Sequence, residues 1–243
     1  MSLILVSVLF WTRRTRKRLR EEQQLNRRMA ELELYALRAQ MNPHFVFNAL
    51  GAIQYYIQIN ARTAADKYLT QFARLMRKYL LHSKEKMIPL KEELELLNLY
   101  VDLEQMRFES MFSVDFKIDD NLNIQDHYVP SMMMQPFIEN AINHGLGERM
   151  DDKGKLEIIF YDRNGTLYCE IKDNGIGVKN AQQKKKKQHK SRGMEIIDER
   201  IQTLKASEIL DIQVDISELN ADDPKFPGTF VHIKMKNLEN HLF

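Results

Sequence analysis

Glu139-Asn140-Ala141-Ile142-Asn143-His144 lies within Ser131 to His144, a run that reads as a helix. Asn140 and Asn143 are three residues apart and share one helical face, with His144 at i+4 from Asn140. Amide and carboxylate oxygens suit Mg²⁺, which keeps several waters and bridges phosphates. Downstream, Asp173-Asn174-Gly175-Ile176-Gly177 follows a strand pattern. An aspartate at a strand end can accept from an exocyclic amine, and glycines let backbone approach a ligand closely. Gly193 opens a third piece, a helix after a lysine-rich loop, and a helix N-terminus attracts anions. Taken singly, these are a solvated amide, a turn and a cap; their order and spacing give them meaning.

The surrounding pattern is that of a sheet with helices. Phe112, Val114, Phe116 and Ile118 alternate with polar residues. Leu156, Ile158 and Phe160, the Asn164-Gly165 turn, and Leu167, Cys169 and Ile171 form a hairpin. Gly193 to Ala206 is helical by its apolar spacing, and Ile212 to Ile216 and Phe230 to Met235 supply two more strands. The fold class is α+β. The first half is helical. Ala61 to His82 carries Leu69, Phe72, Leu75, Met76, Tyr79 and Leu80 on one stripe. Leu90 to Phe108 is striped by Leu94, Leu97, Val101 and Met106, with Tyr100 at its border. Two long antiparallel helices with a wide apolar face make a dimerisation unit.

Glu21 to Met41 contains no Gly or Pro, and Leu25, Met29, Leu32, Ala36 and Ala39 follow a heptad spacing. Two readings fit: a short coiled coil, or an amphipathic helix packed on its own domain. Pro43 interrupts the pattern and kinks the chain just before His44 if the helix continues.

The 243 residues suffice for one large or two modest domains, and 44% hydrophobic with 29% charged residues is the balance of a folded chain. One cysteine, Cys169, excludes an internal disulfide framework or a cysteine-rich zinc site. The net charge of +2 conceals a block of six basic residues between Thr12 and Arg20. Before it, Leu3 to Trp11 is apolar apart from one serine, about half the roughly 20 residues of a spanning helix. It reads either as the inner end of a membrane helix facing the cytoplasm with its basic block, or as a short apolar start. Neither basic block interleaves aromatics or carries a base-reading motif, so direct nucleic-acid binding is not expected.

Together, the three pieces resemble the N, G1 and G2 boxes of the ATP-binding domain shared by gyrase, Hsp90, histidine kinases and MutL, the Bergerat or GHKL α/β sandwich. The resemblance covers Met111 to Asn237 and includes Pro227-Gly228-Thr229, which enters the last strand. Leu37 to Asn48 (LRAQMNPHFVFN) resembles the phosphoacceptor segment of LytS-type sensor histidine kinases. Tyr100 to Glu104, Met106-Arg107-Phe108 and Met134 to Ala141 match the same group.

This resemblance implies an ATP-dependent protein-histidine kinase of a two-component system. It implies a homodimer using ATP and Mg²⁺, on the cytoplasmic face of the bacterial inner membrane. His44 is the implied phosphoacceptor, which then passes phosphate to an aspartate of a response regulator with a receiver domain and a LytTR-type DNA-binding output. Imidazole is neutral and nucleophilic near pH 7, so His44 needs no strong base. Asn140 is the implied Mg²⁺ ligand, acting through the phosphates, and Asp173 the adenine reader. Glu139 assists the proton or orients a metal-bound water, and Asn48 orients the His44 ring from one turn away. Asn143, His144, Gly175, Gly177, Gly193 and Thr229 complete the implied nucleotide contacts, although many relatives carry a phosphate-contacting lysine where Asn143 stands.

The domain expectations are an apolar segment 1–11, a basic juxtamembrane and coiled-coil helix 12–40, a dimerisation and phosphoacceptor region 41–108, a catalytic domain 109–237 and a tail 238–243. One departure stands out. Ser191-Arg192-Gly193 supplies one glycine where the family has a richer run, after the lysine-rich segment Lys184 to Lys190. That segment is either a solvated loop or a mobile lid that draws in the triphosphate. The thin glycine run leaves a second reading, a nucleotide-binding pseudokinase or scaffold without phosphotransfer.

Overall fold

The structure is a computed structural model that describes residues 11, 14–16, 43–109, 111–149, 153–184, 201–203 and 210–237. The heptad seam of Glu21 to Met41, the bend before Pro43, Gly193 and most of the lysine segment lie outside the described residues. The chain divides into two units, Met1–Gly51 and Ala52–Phe243. In the first, Trp11 is exposed and its carbonyl accepts from the Thr15 hydroxyl at 2.8 Å. Helix α1, Pro43–Gln58, starts in the first unit and ends in the second. Proline suits a first helical position, because its missing N–H would have no partner there. No helix among the described residues is long and apolar enough to cross a membrane.

The second unit begins with α2, Arg62–His82, and α3, Leu90–Arg107, separated by the three-residue strand β1, Met87–Pro89. The two helices run antiparallel, since Lys78 pairs with Glu92 at 2.7 Å while Gln71 reaches Asp102. The buried side of α2 is Ala65, Tyr68, Leu75, Tyr79 and His82, whereas Leu69 and Leu80 of the expected stripe are exposed. The stripe is rotated so that Tyr68, Leu75 and Tyr79 fill the interface and Leu69 and Leu80 do not. Helix α3 is buried on more than one side: Leu96, Leu99, Tyr100 and Leu103 join Leu90, Leu94, Leu97 and Val101. A helix covered this widely belongs inside a domain core. Its first N–H groups are satisfied by carbonyls of a later loop, Leu90 to His127 at 2.7 Å and Lys91 to Ile124 at 2.9 Å.

The sheet comprises β2, Phe112–Ile118; β4, Gly154–Arg163; β5, Thr166–Asp173; β6, Leu210–Glu218; and β7, Thr229–Asn237. The short β3, Tyr128–Pro130, pairs with β1 instead. The order is β2-β4-β5-β7-β6; β2 runs parallel to β4 and every other pair is antiparallel. The expected hairpin is β4–β5, with Arg163 opposite Thr166 and Asn164 and Gly165 both at positive φ, as a two-residue turn matched to strand twist requires. Alternation puts Leu156, Ile158, Phe160, Leu167, Cys169, Ile171, Val231, Ile233 and Met235 on the buried face. The fold class is α+β, as the sequence reads.

Helix α4, Gln135–Asn140, begins four residues after the expected start at Ser131. Pro136 sits in its first turn, and no side chain of its own caps it. The buried Glu93 of α3 accepts from the backbone N–H groups of Met132 at 2.8 Å and Met134 at 3.3 Å, doing the work of a cap from 41 residues away. From Ala141 to Leu146 the chain continues as a π-helix, with wider turns than the α-helix expected as far as His144. A further helix, α5, Gly177–Lys184, follows the Asp173 loop directly.

Candidate functional site

Asp173 ends β5 at 2% exposure, a carboxylate almost fully withdrawn from water. Its Oδ1 accepts from the Gly175 N–H at 2.9 Å, and Thr229, first in β7 and directly opposite, donates to it from both side chain and backbone. Burial opposes the charge more than these bonds support it, and the pKa is pushed up to about 6. Strand pairing thus brings Asp173 and Thr229 together across 56 residues of sequence.

Gly175 is pressed backbone to backbone against Gly145 of the π-helix: a Cβ on Gly175 would collide with the Gly145 carbonyl group. Ile176 N–H donates to that carbonyl at 3.3 Å, and Gly228 N–H donates to the Gly175 carbonyl at 3.0 Å. Gly228, at φ +64°, lies against the Asp173 carbonyl where no side chain fits. The glycines therefore let three chain segments converge on Asp173. Gly228 lies in the Pro227-Gly228-Thr229 run that the resemblance places near the nucleotide, whereas Gly145 carries no expectation from the sequence.

Glu139 and Asn140, both half-buried, close α4. The Asn140 side chain carries an amide oxygen, a donor type that suits a hydrated Mg²⁺. A π-turn advances each residue through a smaller angle than an α-turn, so the residue three along swings away from the first. Asn143 accordingly faces α3, where its Oδ1 accepts from Arg107 Nη2 at 2.7 Å. The exposed His144 follows it. Arg107 lies in the Met106-Arg107-Phe108 run that matches the family, but its bond to Asn143, 36 residues on, carries no expectation from spacing.

Asn174 fixes the loop from below. Its side chain accepts from Lys155 N–H at 2.7 Å and donates to the Lys153 carbonyl at 2.9 Å. Its own carbonyl accepts from Arg149 Nη1 at 2.6 Å, while the Arg149 guanidinium lies 4.2 Å from the Phe226 ring centre. Gly177, at φ +75°, packs against Pro227. The second half therefore brings together Asp173, Gly175 and Thr229, with Gly145 and Gly228 packed against them and Gly177 on Pro227; Asn140 ends the helix that leads into Gly145, and Asn143 bonds Arg107. His44 lies in the first turn of α1, with the half-buried Asn48 one turn later.

Residues 32–112 match the family described as histidine kinase. The LytS sensor protein of Bacillus cereus is 31% identical over 164 residues, 68% of this chain and 27% of that protein. The sensor histidine kinase YpdA of Escherichia coli is 33% identical over 156 residues, 64% of this chain and 27% of that protein. The chain thus spans about a quarter of the length of these relatives. Among solved structures, the histidine kinase domain of the blue-light activated kinase EL346 from Erythrobacter litoralis aligns with 85% of this chain and 95% of its own, at 15% identity and a TM-score of 0.44.

Proposed function

The chain belongs to the LytS-type sensor histidine kinases, and from that premise we propose that it phosphorylates itself on His44 at the expense of ATP and hands the phosphoryl group to an aspartate of a response regulator. The observation carrying the nucleotide half of this reading is the buried Asp173 carboxylate, held by Gly175 and Thr229 where three glycine-bearing segments meet.

Asp173, ionised above about pH 6, accepts from the exocyclic amine of adenine. Gly175 and Gly177 let the loop pack directly on Gly145 and Pro227, which fixes the position of Asp173. Asn140 would supply its amide oxygen to a hydrated Mg²⁺, and Glu139, next to it in sequence, would orient a bound water. A metal held there would supply neutralisation of the phosphate charge. His44 attacks with a ring-nitrogen lone pair; a nitrogen–phosphorus bond forms, the bond to the bridging oxygen of ADP breaks, and the ring N–H proton passes to solvent or a carboxylate. Asn48, four residues on, holds the ring orientation. Positioning dominates such transfers, so a shift of α1 by a few Å is enough to stop the reaction.

In this reading the chain acts as a homodimer at the inner face of a bacterial membrane, attached through its N-terminus. Incubation with γ-labelled ATP yields acid-labile, base-stable label, and His44→Gln removes it. Label persisting in His44→Gln sinks the phosphoacceptor assignment. Nucleotide binding without any label would instead favour a scaffold.

A further inference from the structure

Arg107 ends α3 at the point where that helix meets the nucleotide segment. Its Nε donates to Glu104 Oε2 at 3.0 Å and its Nη2 bonds the same carboxylate. Glu104 is 1% exposed, so this guanidinium is the ion-pair partner of a buried charge and is itself held in one place. The same Nη2 donates to Asn143 Oδ1 at 2.7 Å. The next residue, Phe108, stacks under the guanidinium at 4.0 Å and packs against Gly147, one residue beyond the π-helix. Arg107 and Phe108 thus bracket the turn from Asn143 to Gly147 at both ends.

A π-turn closes on i→i+5 bonds and is less tightly wound than the α-helix before it. The direction in which Asn140 points depends on what holds the following turn. On the loop side the Gly145 carbonyl accepts from Ile176 N–H, and on the α3 side the Arg107 bond to Asn143 comes from outside the pocket. We infer that Arg107 is a positioning residue of the nucleotide site, setting through Asn143 the rotation of the turn that follows Asn140 and hence the placement of the metal-facing amide. The inference rests on the ATP reading above.

The whole 243-residue chain is titrated calorimetrically with a non-hydrolysable β,γ-imido ATP analogue across a range of Mg²⁺ concentrations. Asn143→Ala removes the acceptor and leaves the Arg107–Glu104 pair intact, so the fold survives. It raises the Mg²⁺ concentration for half-maximal binding by about 3- to 10-fold, a fraction of the worth of the charge-assisted hydrogen bond it loses. Binding of the analogue in EDTA is unchanged. Arg107→Lys keeps the charge toward Glu104 but loses the fork, and gives the same shift. The double variant is no worse than either single one. A merely structural loss would weaken binding equally with and without Mg²⁺. An unmoved Mg²⁺ midpoint in Asn143→Ala overturns the inference, as do additive shifts in the double variant. If Arg107→Lys fails to fold, the Asn143→Ala midpoint decides alone. Absence of heat from the unmodified chain removes the ATP reading itself, and this inference with it.

Discussion

Helices α1 and α3 are both rich in apolar residues but deploy them in opposite ways. On α1, Phe47 is 73% exposed, and Leu50, Tyr55 and Ile57 are also open to solvent. On α3, eight apolar residues are buried together with two carboxylates, Glu93 and Glu104. The apolar surface of α3 is consumed within its own unit, against α2 and the sheet. The surface of α1 is left over, and exposed apolar residues in proximity mark an interaction face. The sequence placed both helices in one dimerisation region because periodicity reports that a helix has an apolar side, not which neighbour covers it.

The contrast breaks most visibly under truncation. Leu97→Ala in α3 costs about 2–5 kcal/mol, the loss of a fully buried leucine plus the cavity it leaves. Phe47→Ala in α1 changes unimolecular unfolding by less than about 0.5 kcal/mol, because an exposed ring loses little on removal. In the proposed homodimer it shifts the monomer–dimer equilibrium instead. Urea unfolding and sedimentation read the two effects separately. Equal destabilisation by both variants would erase the distinction between the helices.

The next effect concerns the buried carboxylates themselves. Glu104 has Arg107 as its counter-charge; Asp173 has hydrogen bonds but no ion pair among the described residues. Its pKa of about 6 lies above the 3.8 of an unfolded aspartate, so the folded chain holds the proton more tightly. Its contribution to stability is therefore present at low pH and is lost as pH rises from about 4 to about 6, amounting to about 3 kcal/mol. Asp173→Asn removes that dependence and is more stable than the parent at pH 8. The difference disappears below pH 4. Urea midpoints across this range check the sign, and a parent chain whose stability follows the variant at every pH refutes it. Adenine affinity runs the other way, rising with pH as the carboxylate ionises.

The β4–β5 hairpin was legible because alternation and an Asn164-Gly165 turn are local signals, and Asp173 was legible because it closes that hairpin. The start of α4 was not, since its cap is Glu93 from a different helix. The π-turn at Ala141 has no sequence signature of its own. Without it, Asn140 and Asn143 appear to share a face, and only the arrangement of α3 reveals that Arg107 takes the second amide. Strands β1 and β3 are three residues each, too short for a period to register. What the sequence conveyed well was chemistry held within a dozen residues; what it missed was assembled from distant ones.

The smallest effect lies where the two contrasted helices meet within the second unit. Tyr56, near the end of α1, donates its hydroxyl to the Met106 carbonyl at 2.7 Å, one residue before Arg107. That carbonyl is in the last turn of α3, where intrahelical donors run out. Tyr56→Phe keeps the ring beside Tyr68, with centroids 6.2 Å apart in the parent, and removes only the hydroxyl. The expected loss is about 1 kcal/mol in urea unfolding, the net worth of one neutral hydrogen bond. If the bond also steadies the end of α3 that carries Arg107, the Mg²⁺ midpoint for nucleotide binding moves in the same direction as in Asn143→Ala, by a smaller factor. A stability loss with an unmoved Mg²⁺ midpoint confines Tyr56 to packing and leaves Arg107 steadied by Glu104 alone.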